Sequence, residues 1–396
     1  MQKNCITING QKFSLDDTVV YMDYQATSPI DCRVLEDMLP YMTYNFGNPH
    51  SSEHVLGWKS NDAVNRAKEQ VADYIGAIGD EIIFTSGATE SNNMAIIGIG
   101  YAALEQKITK RTILVSSIEH KCVLGAARFL SKLGFIIKKI PVAENGIVNI
   151  NDLEKLINDD VLLISVMATN NEIGTNQPLK EIGKLCQKNN ILFHTDAAQG
   201  AYTDIDVTDI NADLMSLSGH KIYGPKGIGA LYINRFSKLK PLPIIYGGGQ
   251  QDGYRSGTLP TFLAVGMGSA AQLMQETKKT EIIEISKKRD FLLSEIIRIC
   301  PSIKINGTLD DRHPGNINVV LPDIDARQFI MSYQPNVCFS SGAACSSGIQ
   351  EASHVLRAIG RSTEEADRSF RLTIGRYTTE SDVSQFLDKF KQHYQK

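Results

Sequence analysis

The stretch VLLISVMATNNEIGTNQPLKEIGKLCQKNNILFHTDAAQ, residues 161–199, decides the fold. It opens on the apolar run 161–167, passes through a helical pattern at 179–187, and returns to an apolar run at 191–194. Buried strand, helix and buried strand in that order make a βαβ unit, whose strands run parallel and are covered on both faces. The alternation extends outward in both directions. Strand-like runs at 81–85, Thr112–Ser116 and 214–217 flank the unit, with a helical pattern at 62–74. From about residue 64 to 235 the chain therefore reads as a mostly parallel sheet with helices on both faces. Gly247-Gly248-Gly249 and the Pro/Gly-rich stretch before it interrupt the pattern. A long helical region at 260–299 follows, then a strand-like run at 316–321 and a C-terminal helix from about Ser381. The reading is a large α/β domain followed by a smaller α+β domain, with the long helix as the join.

Composition narrows the function. A chain of 396 residues allows two or three domains, and 42% hydrophobic residues supply a large core and exclude disorder. Lys and Arg number 41 against 44 Asp and Glu, a net charge of −3, so no basic excess points to nucleic acid. No apolar run approaches the roughly 20 residues of a membrane span. The N-terminus MQKNCITINGQKFSLDD has neither an apolar signal core nor an Arg-rich transit pattern. Seven scattered cysteines, an odd number, argue for reduced thiols rather than a disulfide scaffold, and so for a cytoplasmic protein. An organellar location stays open if the mature start differs. No CxxC pair occurs. His50-Ser51-Ser52-Glu53-His54 has the HxxEH spacing of some zinc peptidases. It follows Gly47-Asn48-Pro49, however, which reads as a turn, so no metal is expected there.

Ligands of open α/β sheets bind beyond the carboxyl ends of the strands. Those ends lead to Glu119-His120, to Asn170-Asn171-Glu172, to His194, Asp196 and Gln199, and to Ser218-Gly219-His220-Lys221. The run at 82–84 leads to Thr85-Ser86-Gly87-Ala88-Thr89-Glu90 and the start of a helix. Small residues and free N–H groups at a helix N-terminus attract phosphate, although no Gly-Lys-Ser/Thr follows as in a P-loop. Alone, this segment could equally be an ordinary helix cap, Lys221 a surface lysine and His120 a core histidine. Together they supply an anion cradle, a carboxylate, an imidazole, an amide and a lysine. That set suits pyridoxal 5'-phosphate, which needs a lysine for its aldehyde and an acid for its pyridinium nitrogen. Lys221 and Asp196 are the candidates, with Ser218 and His220 beside the lysine for the phosphate.

The segments SGATESNN (86–93), EHKCVL (119–124), NNEIGTNQP (170–178), HTDAAQ (194–199) and SGHKIYGPKGIGALY (218–232) closely resemble those of the cysteine desulfurases. So do RSGTLP (255–260), SSGAACSS (340–347) and IGRYTTE (374–380), in the family's order and over nearly the whole chain. The resemblance implies a homodimeric fold-type-I transferase with a seven-stranded, mostly parallel sheet. Its large cofactor domain would span 31–262, and 1–30 with 263–396 would form the small domain. It further implies conversion of L-cysteine to L-alanine, with sulfur passed through an enzyme persulfide to an iron–sulfur scaffold or to tRNA thiolation.

By the same resemblance Lys221 carries the cofactor, Asp196 meets the ring nitrogen, and His120 stacks on the ring and moves protons. Ala88, Thr89, Ser218 and His220 bind the phosphate, with Thr258 reaching across from the second subunit. Gln199 bonds the ring hydroxyl. Asn171, Asn48 and Arg376 contact substrate or cofactor, Arg376 through the substrate carboxylate. Cys345, in a run of small residues suited to a reaching thiol, is the sulfur acceptor, whereas Cys186 and Cys300 sit in contexts of ordinary buried cysteines. The family pattern is broken at Tyr246 and at 250–254, which leaves open how the loop presents Arg255 and Thr258. Iron–sulfur members also continue past the equivalent of Lys396 into a tail that helps dock the scaffold. The rival readings are a selenocysteine lyase or the other desulfurase branch, whose Arg-x-Gly-His-His-Cys string is absent, and a non-catalytic sulfur-transfer partner. Retention of Lys221, Asp196, His120 and Cys345 together speaks against the last.

Overall fold

The computed structural model describes residues 5–8, 11–14, 19–341 and 352–394. Three short strands, β1 (Cys5–Ile8), β2 (Gln11–Ser14) and β3 (Val20–Tyr21), precede helices α1 (Cys32–Thr43) and α2 (Val55–Ile75). The alternating region runs β4 (Ile82–Thr85), α3 (Ala88–Glu105), β5 (Thr112–Ser116), α4 (Lys121–Ser131) and β6 (Ile136–Ile140). It continues with α5 (Ile150–Leu156), β7 (Val161–Ser165), α6 (Leu179–Lys188), β8 (Leu192–Asp196), β9 (Leu214–Ser218) and β10 (Gly229–Ile233). The long helix α7 (Thr261–Ile299) leads to β11 (Lys304–Ile305), β12 (Asn316–Val320), α8 (Ala326–Ser332) and β13 (Val337–Cys338). Helices α9 (His354–Ala358) and α10 (Thr363–Asp367), strand β14 (Ser369–Thr373) and helix α11 (Glu380–Tyr394) complete the chain.

Seven strands form one sheet in the order β4-β10-β9-β8-β7-β5-β6. Only β10 is antiparallel to its neighbours. The link from β9 to β10 carries no crossover helix, and a parallel return needs one. The carboxyl ends of the parallel strands and the start of β10 therefore share one edge. Strands β4, β5, β7 and β9 are buried along their whole length, which is why they read as continuous apolar runs. The two sheet margins are protected differently. β6 exposes Lys138 and Lys139, charges that discourage strand addition. At β4 the buried Gln251 side chain imitates a neighbouring strand, accepting from Phe84 N at 2.7 Å and donating to Phe84 O at 2.8 Å. The unusual segment 250–254 is thus fixed onto the sheet margin. Gln250 Oε1 accepts from Gly257 N, and Arg255 pairs with Glu90 at 2.8 Å.

A second core gathers Phe329, Phe339, Phe370, Phe386 and Phe390 beside the antiparallel β11-β12-β14 sheet. Helix α7 belongs to both cores: Ala264, Met267 and Met274 pack against the large sheet, and Ile285, Leu292 and Ile296 against the second cluster. A boundary at 262 falls within the first turn of α7, an element that both cores share.

Between the cores lies a buried ionic cluster. Arg376 donates from Nη1 to Asp31 and from Nε to Glu281, both at 2.7 Å, and its guanidinium sits 4.0 Å over the Tyr223 ring. Tyr377 and Tyr202 hydroxyls satisfy the same two carboxylates. Both ion pairs are almost fully buried. Arg376 therefore faces away from the strand-end cleft and cannot take a substrate carboxylate there, which corrects that expectation. The IGRYTTE string marks an architectural lock instead. Replacing Arg376 by Met should leave two buried carboxylates unpaired and lower the unfolding free energy by about 3–5 kcal/mol in urea titrations. An unchanged denaturation midpoint would remove the lock.

Candidate active site

The shared edge of the sheet opens into a cleft of about 660 Å³. Its walls include Ala88, Thr89, His120, Asn171, Asp196, Gln199, Ser218, His220 and Lys221. Each comes from a strand end because the parallel strands stop together.

The turn between β4 and α3 builds one end of the cleft. Gly87 caps α3 with φ near +152°, a conformation strained for any side chain. A Cβ on Gly229 would come within 2.6 Å of Gly87 Cα, so the start of β10 can approach this turn only as glycine. The first N–H groups of a helix have no partner within it, and Ala88 and Thr89 supply them here. His220 stands at the same edge, its Nδ1 3.0 Å from Thr27 Oγ1. Burial and the neighbouring Lys221 and Lys226 push its pKa down to about 4, so it is a neutral imidazole near pH 7.

Asp196 ends β8, buried, with Oδ2 accepting from Asn92 at 2.7 Å and Oδ1 from Ala198 N at 2.9 Å. Gln199 is steadied by donation from Nε2 to Gln25 O at 2.8 Å. His120 caps α4, and burial together with Lys221 and Lys121 lowers its pKa, against the opposing pull of Asp196. Lys221 follows β9 and donates to the carbonyls of Gln25 and Ala26, the latter at 2.8 Å. Burial first, and then Arg371, bring its pKa down to about 8, with Asp23 and Asp196 opposing. The amine, the acid and the anion cradle face one cavity of the right size for pyridoxal phosphate, so the donor set fits that group.

Besides Arg376, two expected residues lie outside this cleft. Asn48 is exposed on a turn, its Oδ1 accepting from His50 N, and Thr258 is exposed on the loop before α7. Cys345 lies outside the described residues. His54 caps α2 through Nδ1, and no cluster of three or more metal-ligating side chains occurs among the described residues. His194 is a core histidine between Ser165 and Ser216, and Cys186 and Cys300 are buried.

The sequence reading missed Arg371. This residue lines the cleft from β14, donating to Asp23, Ser340 and the Asn171 carbonyl, while its buried Nε has no partner among the described residues. A charged side chain inside the fully buried run SFRLT was the available signal. Asp23, Lys226 and Cys122 also reach the cleft.

The class-V aminotransferase model matches residues 20–386. The chain is 48% identical over 365 residues to the cysteine desulfurase IscS of Rickettsia prowazekii, covering 92% of this chain and 88% of that protein. Among solved structures, a NifS-like protein superposes with a TM-score of 0.87 at 34% identity, over 95% of this chain and 99% of that one. A structure described as SspA in complex with cysteine gives 0.79 at 38% identity, over 91% and 100%. The chain belongs to the cysteine desulfurases of the class-V aminotransferase family. Enzymes of this family depend on pyridoxal phosphate.

The lowered basicity of Lys221 has a direct consequence. Only the neutral amine attacks an aldehyde, so capture of pyridoxal phosphate by the cofactor-free protein should rise with pH through a midpoint near 8. Borohydride reduction and peptide mapping should place the label on Lys221. A midpoint near the ordinary lysine value of about 10.4, or a label on Lys226, would overturn the assignment.

Proposed function

We propose that this chain converts L-cysteine to L-alanine and carries the sulfur as a persulfide on Cys345. The observation that carries this reading is the convergence of Lys221, Asp196, His120 and Arg371 on one cleft at the sheet edge. Bound pyridoxal phosphate supplies an electron sink for negative charge developing at the substrate Cα. Ala88, Thr89, Ser218 and His220 hold the phosphate, Asp196 holds a proton at the ring nitrogen, and Gln199 bonds the ring hydroxyl. Arg371, rather than Arg376, pairs with the substrate carboxylate through its free Nε, with Asn171 beside it. Lys221 Nζ takes the Cα proton, and its lowered pKa keeps a neutral fraction available near pH 7. His120, in the cleft wall, carries protons to and from the substrate.

Sulfur transfer then needs only a thiolate. Cys345 Sγ attacks the substrate sulfur, an S–S bond forms and the Cβ–S bond breaks. The electron pair of that bond stays with the three-carbon fragment, which gains a proton and leaves as alanine. The persulfide next serves an acceptor, an iron–sulfur scaffold protein or a tRNA-thiolation relay. The active form is a homodimer, with Thr258 completing the phosphate site of its neighbour. Support for this comes from the exposed Tyr44, Phe46, Trp58 and Tyr246, large apolar side chains that a second copy would cover. No helix among the described residues is long and apolar enough to cross a membrane, and the cytoplasm is the proposed place of action.

Two substitutions separate the parts of this reading. Cys345→Ser should keep cofactor absorbance and its change on adding cysteine, yet lose the protein persulfide detected by mass spectrometry. Full persulfide on that variant would move the acceptor role to another cysteine, Cys338 first. Arg371→Ala should raise KM for cysteine about 100-fold, the equivalent of about 3 kcal/mol for a lost charge-assisted contact, with cofactor content unchanged. A normal KM would remove Arg371 from the substrate site.

A further inference from the structure

His120 is in contact with a thiol. Cys122, one residue into α4 beyond the first, places Sγ 2.9 Å from His120 Nδ1, and its backbone N–H points at the same nitrogen from 3.3 Å. The thiol is itself held from behind: Asn92 donates from Nδ2 to Cys122 Sγ at 3.2 Å and to Asp196 Oδ2 at 2.7 Å. The orientation of that amide is fixed, because turning it would set its oxygen against the Asp196 carboxylate. Asn92 thus spends both its hydrogens, one on the carboxylate and one on the sulfur. A sulfur that accepts from Asn92 has its own hydrogen left to donate; the Thr89 hydroxyl also bonds this sulfur, and His120 Nδ1, 2.9 Å away, is the ring acceptor in reach.

We propose that Cys122 is a positioning residue which, by donating its S–H to His120 Nδ1 alongside its own backbone N–H, reinforces the imidazole proton on Nε2 and resists a second proton at Nδ1. Asp196, Asn92, Cys122 and His120 then form one hydrogen-bonded chain from the acid at the cleft floor to the imidazole at its wall. Burial and the Asp196 charge push the Cys122 thiol up to about 12, so the donor hydrogen is present throughout the working pH range. The same elevation makes Cys122 a poor thiolate, which separates it from the sulfur-accepting cysteine although it lines the same cleft. The other groups facing His120 are Asp196 from β8, Lys221 after β9, Lys121 on α4 and His354 on α9. Of these Asp196 favours the imidazolium and both lysines oppose it, so the thiol acts with the lysines.

The inference rests on the reading of His120 as the proton carrier, and the test has one arm that does not. In the full-length, pyridoxal-phosphate-loaded protein, nitrogen NMR of the histidines, assigned with His120→Gln, reports tautomer and pKa directly. The wild type should show His120 protonated at Nε2. Cys122→Ala and Cys122→Val, which lack the thiol donor but keep the backbone N–H, should raise the His120 pKa by about half to one pH unit. Cys122→Ser, which keeps a donor, should restore the wild-type values. A His120 protonated at Nδ1 in the wild type overturns the proposal, as do identical values in all four proteins. A rise in Cys122→Ala alone also overturns it, because Val fills the space without donating and the effect would then be one of hydration. The second arm is the pH profile of alanine release, whose His120-dependent limb should move with the NMR pKa. If the NMR values shift as expected while that limb stays, the positioning role stands and the proton-carrier reading of His120 fails.

Discussion

The arrangement of the molecule depends on the buried contact of Arg376 with Asp31 and Glu281. Asp31 is the N-cap of α1, Glu281 lies midway along α7, and Arg376 closely follows β14, so one guanidinium ties together three segments far apart in sequence. A buried charge triad gains little net energy over apolar packing, because removing each charge from water costs several kcal/mol. Its value is directional. A guanidinium that must satisfy two carboxylates and lie over Tyr223 admits one relative placement of the two cores. That placement decides where Arg371, on the adjacent strand, meets the cleft.

The second requirement is the shared edge of the sheet. A parallel strand presents only its carboxyl end to this edge, so each contributes a turn rather than a side chain from its middle. This explains why the site is discontinuous in sequence yet compact in space. It also explains Lys226, Gly227 and Ile228, which line the cleft because β10 runs the other way and begins at the same edge.

The parallel strands were legible because strands buried on both faces are continuously apolar and stand out at short range. Lys221, Asp196 and the Gly87 turn were legible for the related reason that strand ends in such sheets are few and chemically conspicuous. Arg371 and Arg376 were not. They lie five residues apart in one segment, both buried, and local sequence does not say which of two buried guanidiniums faces the cleft. That choice is made by Asp31 and Glu281, which lie about 345 and 95 residues away from Arg376 along the chain. The role of Gln251 was hidden likewise, since a glutamine that imitates a strand has no pattern beyond its own side chain.

Charge in the cleft is kept scarce. Behind the cleft, burial alone brings His194 down to about 3; in its wall, burial with nearby lysines brings His220 to about 4, and Cys122 stays a thiol. Burial and Asp196 push Glu119 well above the usual carboxylate range. The Lys221 amine, near 8, is poised between states. Among the described residues the charges left beside the cavity belong chiefly to Asp196, to Lys226, to the Asp23–Arg371 pair and to the Glu90–Arg255 pair at its rim. A low-dielectric site magnifies whatever charge it retains, so stray charges from neighbouring histidines would compete with these for an incoming amino acid. A neutral histidine also remains a hydrogen-bond partner, as His220 does toward Thr27 in the wall and His194 does between Ser165 and Ser216 behind it. The wall of the cleft is therefore polar enough to orient a zwitterion and cofactor, while its net field is set by a few groups aimed at the reacting atoms.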